Sequence, residues 1–131
     1  MNALKGGHHS GMDDKIGMEI TREGSFGIVV FKATCISDVE GIASASRQVK
    51  EFIEKNRPKR IIFDFAEVKF FSSQVLGLLL DIRSKLQAYN SEVVISAINP
   101  QLHRVFKITN LDKIFRFFPD KESAVKTVNT D

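Results

Sequence analysis

The sequence predicts an α/β domain, a mixed β-sheet of about five strands with four helices. Two observations carry this. From Phe26 onward, short apolar runs of strand length alternate with longer stretches in which apolar residues recur at helical spacing. Before them, two strand-like runs follow one another with only Glu23, Gly24 and Ser25 between them, which reads as a hairpin and makes the sheet mixed. The length of 131 residues is that of one domain. Residues 1–16 are expected to be a flexible N-terminal tail, since they lack an apolar period, and residues 17–131 a single folded domain.

The elements follow in order. Gly17–Arg22 alternates as a strand, and Phe26–Phe31 is rich in β-formers. Ser37 and Asp38 are helix-capping types. Ile42, Val49, Phe52 and Ile53 then keep a helical period up to Asn56, and Pro58 blocks its continuation. Arg60–Phe65 is a continuous apolar run, expected to be a strand buried on both faces. Ser72 or Ser73 opens a second helix reaching about Tyr89, and Glu92–Ala97 is another buried strand. Pro100 suits the first turn of a third helix carrying Leu102, Val105, Phe106 and Ile108. Ile114–Phe118 reads as a short last strand, and Pro119 and Asp120 open a final helix with Ala124 and Val128.

Composition narrows the function. Nineteen basic residues against sixteen acidic ones leave a net charge of +3. The densest basic cluster is Lys55, Arg57, Lys59 and Arg60, at a helix C-terminus where cations suit the dipole, so nucleic acid is not an expected partner. Cys35 is the single cysteine, which rules out a disulfide scaffold. No apolar run approaches the roughly 18 residues a membrane span needs, and no secretory signal is read, so a cytoplasmic location without membrane insertion is expected. His103 is isolated, there is no phosphate-binding glycine loop, and no Gly-x-Ser-x-Gly elbow presents a nucleophile. Asp64 and Glu67 flank a strand end, where two carboxylates could pair for acid–base work, but the preferred reading is a strand-end charge and a solvated loop. No metal, no cofactor and no catalytic activity are expected.

The informative stretch is Glu67–Leu80, which joins the central strand to the second helix. Ligands and partners gather at the carboxyl ends of strands in open α/β sheets. A phosphate on a serine at this helix start would meet unpartnered N–H groups and the positive end of the dipole. It would add a charge of about −1.5 to −2. The competing reading is that one serine simply caps the helix. Along this helix, Val75, Leu76, Leu78, Leu79, Leu80, Ile82 and Leu86 spread over roughly 200° of the circumference, twice what one-sided packing needs. Either part of that arc is exposed for a protein partner, or neighbouring helices cover the excess.

Two blocks resemble the signature of STAS domains of the anti-sigma factor antagonist (anti-anti-sigma factor) type. The first is Phe70–Leu80, where the family has two apolar residues, Asp-Ser-Ser-Gly-Leu-Gly and an apolar helix. Here Ser72 stands for the Asp, Ser73 for the first Ser, Gln74 for the second and Val75 for the Gly, while Leu76 and Gly77 match. The second is Ile98–Phe106 followed by Thr109–Phe115, a Pro-opened helix, a turn and a strand entry. The resemblance implies a bacterial, non-catalytic regulatory module. It would bind a serine kinase that also acts as an anti-sigma factor, and phosphorylation at the start of the second helix would release it. In frame the acceptor is Ser73, with Ser72 as the alternative. Gln74, Val75, Leu76, Leu78 and Asp38 are the expected partner contacts, and a homodimer is left open. Two other readings compete: a constitutive STAS interaction subunit, as a scaffold or lipid-transporter accessory, and a domain binding a nucleotide or lipid.

Overall fold

The computed structural model describes residues 16–130, with side chains through Lys126. The chain opens with β1 (Met18–Glu23) and β2 (Phe26–Phe31), paired antiparallel with Met18 opposite Phe31 and Glu23 opposite Phe26. Gly24 turns the hairpin at φ +60°, a conformation that costs a glycine little. There follow β3 (Cys35–Ile36), α1 (Val39–Asn56), β4 (Arg60–Asp64), β5 (Phe70–Phe71), α2 (Ser73–Gln87), β6 (Glu92–Ser96), α3 (Pro100–Ile108), β7 (Arg116–Phe118) and α4 (Lys121–Thr130).

The main sheet has five strands in the order β1-β2-β4-β6-β7, and the last four run parallel. The mixed sheet with four helices is therefore the expected one. Each crossover adds its strand on the same side of the previous strand. Right-handed crossovers then place all three connecting helices on one face. Accordingly Val29, Phe63 and Ile95, partners in register, share a core with Ile42 and Val49 of α1, Leu79 of α2, and Leu102 and Phe106 of α3. The alternate residues Ile28, Ile62 and Val94 point to the other face, where Ala124 of α4 seals a smaller core. Strand β4 is buried along its whole length because it is covered on both sides.

Local chemistry sets the element ends. Asp38 caps α1 by accepting the Gly41 N–H at 2.7 Å. Arg57 closes α1 in the left-handed region and donates its N–H to the Ile53 carbonyl, and Pro58 prevents continuation. Strand β6 ends at Ser96 rather than Ala97, because Ala97 turns to φ +58°. The last strand starts at Arg116 rather than Ile114, because the chain first makes a 3₁₀ turn over Leu111–Lys113 that takes the Ile114 and Phe115 N–H groups onto the Leu111 carbonyl. Residues 1–15 of the expected tail lie outside the described residues. Ile16 belongs to the fold instead, 2% exposed within the larger core.

Candidate functional site

The two-residue strands β3 and β5 pair in parallel, Cys35 with Phe70 and Ile36 with Phe71. The pairing continues one residue further, where Ser72 donates its N–H to the Ile36 carbonyl at 2.9 Å. Because α1 and α2 start just beyond this bridge, their N-termini emerge side by side at the carboxyl end of the sheet. The neighbours Ser73 and Gln74 are thereby brought to the same region as Asp38, which lies far earlier in the sequence.

Ser72 occupies the N-cap position of α2 in extended conformation, yet its hydroxyl makes no capping bond. The hydroxyl reaches the Gln74 Oε1 at 3.4 Å instead, and the Val75 N–H bonds to the Ser72 backbone carbonyl. Ser73 is the first residue of the helix and is exposed, as is Gln74. The first turn of α2 contains no acidic residue, whereas that of α1 has Glu40 beyond its Asp38 cap. The start of α2 is thus, like that of α3, a positive helix end that lacks a carboxylate of its own, whereas α1 has two.

Three expected contact residues face inward. Val75, Leu76 and Leu78 are 1%, 8% and 5% exposed and lie in the main core. The wide apolar arc of α2, apart from Leu80, is consumed by the sheet and by α1 packed beside it, so Val75, Leu76 and Leu78 do not form a contact rim. The exposed ridge of α2 runs through Ser73, Gly77, Leu80 and Ser84, one face at helical spacing. Sequence reasoning missed the apolar groups that do reach the surface here, Phe70 at 54% exposure and Val39 at 59%. For Phe70 the signal was available. In a strand, neighbours point to opposite sides, and Phe71 is the one packed edge-on against Phe65 and Phe106. Asp38 is half-buried, its carboxylate committed to the α1 cap.

Other candidate chemistry dissolves into structure. Asp64 is buried and accepts the Ala66 N–H at 2.8 Å, while Glu67 is exposed with an oxygen 3.9 Å from the Lys32 ammonium, so the two do not form an acid–base pair. His103 lies against Phe117, with ring centres 4.4 Å apart and planes tilted by 41°. Among the described residues no group of His, Cys, Asp or Glu could hold a metal ion, and no helix is long and apolar enough to cross a membrane.

Comparison with known proteins agrees with this architecture. The STAS domain family model matches residues 19–124, and the chain belongs to that family. Anti-sigma factor antagonists are among the proteins it is similar to. It is 20% identical over 108 residues to the anti-sigma F factor antagonist of Paenibacillus polymyxa, covering 82% of this chain and 92% of that protein. Among solved structures it resembles the anti-sigma factor antagonist SpoIIAA in its unphosphorylated form, with a TM-score of 0.76 at 16% identity over 88% of this chain and 98% of that one. The Bacillus SpoIIAA in its phosphorylated form gives 0.68 at 17% identity, over 86% and 99% of the two chains. A sulfate transporter family protein from Wolinella succinogenes shares the fold as well, at a TM-score of 0.67 and 16% identity over 84% and 89%.

Proposed function

We propose that this chain is a cytoplasmic, non-catalytic switch that binds a serine kinase acting as an anti-sigma factor, and that phosphate on Ser73 releases it. The observation that carries the reading is the exposure of Ser73 at the start of α2, beside a neighbouring serine whose hydroxyl leaves the helix end uncapped. Phosphate there would be stabilised by the first-turn N–H groups and would add a charge of about −1.5 to −2. The charge would arise at the same end of the sheet as exposed Phe70 and Val39, which would supply the apolar part of a docking surface. Gln74 stands at the same rim. A fixed surface that gains charge needs no refolding to lose its partner. That SpoIIAA exists in both phosphorylated and unphosphorylated forms supports the reading by analogy.

The test pairs wild-type protein with Ser73→Asp in a pull-down from native lysate, with bound proteins identified by mass spectrometry. Wild type is expected to retain a kinase that Ser73→Asp loses. Labelling with radioactive ATP then separates the acceptors: Ser73→Ala abolishes it, and labelling that persists in Ser73→Ala but vanishes in Ser72→Ala assigns the phosphate to Ser72. One observation favours a second reading, the shared fold of a transporter-family protein. A constitutive interaction subunit of that kind keeps its partner in Ser73→Asp.

A further inference from the structure

The segment leading into α2 is gripped from two sides. On one side Lys69 and Phe70 donate their backbone N–H groups to the Thr34 carbonyl at 2.7 and 3.2 Å. On the other stands Asn99, half-buried at the N-cap of α3. Its Oδ1 accepts the Leu102 N–H at 2.8 Å, which caps α3. Its Nδ2 donates to the Val68 carbonyl at 3.1 Å and to the Lys69 carbonyl at 3.2 Å. One side chain therefore ties the start of α3 to the loop that presents Ser72 and Ser73. Phe106, further along α3, supports the same segment through its edge contact with Phe71, ring centres 6.2 Å apart.

The residue type matters. Aspartate or serine would serve as an N-cap equally well. Neither offers the amide donor that the two loop carbonyls take, and aspartate would set a negative charge against them. We propose that Asn99 is a positioning residue for the Ser73 switch, holding Val68–Phe71 so that the start of α2 is presented in one conformation. The proposal rests on the switch reading above and names a second part of its machinery. The carbonyls of Val68 and Lys69 are the groups through which Asn99 acts, and its capping of α3 is a separate task.

The two tasks separate experimentally in the full chain. In Asn99→Asp the Leu102 and His103 amides keep wild-type hydrogen exchange, because the cap survives. The Lys69, Phe70 and Ser72 amides exchange roughly tenfold faster, as expected for losing two neutral hydrogen bonds. Asn99→Ser, uncharged and without the amide donor, gives the same pattern should the aspartate variant fold poorly, and Asn99→Ala accelerates both regions. Ser73 labelling by native lysate and radioactive ATP falls roughly in step with the loop's ordering. Wild-type exchange at Lys69–Ser72 in both Asn99→Asp and Asn99→Ser overturns the clamp. Faster exchange with unchanged labelling overturns the positioning role alone. Wild-type protein left unlabelled overturns the switch reading, and the positioning role with it.

Discussion

At the scale of single residues, position along a strand or helix decides what a side chain can do. Ser73 and Gln74 are exposed, while Val75, one step further, is buried. The position of Ser73 at a helix start was legible in the sequence because such a start is marked by small polar residues before an apolar run. Which of the following apolar residues touch solvent was not legible, since the seven of them cover more of the helix than one neighbour needs. Asp38 illustrates a residue whose structural role is settled by geometry, since its carboxylate caps α1. Asp38→Ala is expected to cost about 1 kcal/mol of stability, typical of losing an N-cap, measured by urea unfolding. The same variant is expected to retain the partner recovered by wild type, because the carboxylate is turned to the Gly41 N–H.

At the scale of elements, two glycines make opposite demands. A Cβ on Gly27 of β2 would stand 2.6 Å from Phe52 Cε1 and 2.7 Å from Ile61 Cδ1. Strand β2 lies this close to α1 only because the side chain is missing, so Gly27→Ala is expected to destabilise by about 1–3 kcal/mol. A Cβ on Gly77 of α2 would meet nothing within 4 Å. Gly77→Ala is expected to stabilise by about 0.8–1 kcal/mol through helix propensity. Chemical denaturation of both variants checks the pair. The long elements were legible because each holds its period over several residues. The β3–β5 bridge was not, because strands of two residues, Cys35–Ile36 and Phe70–Phe71, contain no period to read. Yet this bridge is what sets the starts of α1 and α2 side by side.

At the scale of the whole molecule, the sheet has two faces with unequal cover. Three helices shield one face, and α4 covers Ile28, Ile62 and Val94 on the other. Asp120 precedes α4 and accepts the Ser123 N–H at 2.7 Å, which holds its carboxyl below the ordinary value of 3.8. A lowered native value means that the ionised carboxylate favours the folded state. That contribution is complete above the ordinary value and is lost as the pH falls through the native one. The Ser123 amide is therefore expected to lose its protection in acid, and Asp120→Asn to remove this part of the acid sensitivity. An NMR-detected exchange series across that range checks both.

Alternation of strand and helix patterns, the opening hairpin and the two blocks Phe70–Leu80 and Ile98–Phe115 were enough to specify the sheet, its four helices and the STAS family, because these depend on local period and residue order. Tertiary structure decided three further things. It paired β3 with β5, buried Val75, Leu76 and Leu78 while exposing Phe70 and Val39, and carried Asn99 to the loop before Ser72. The physical reason is shared. Each depends on which surfaces meet after the chain folds back, and residues some thirty positions apart, such as Val68 and Asn99, leave no periodic trace of their contact.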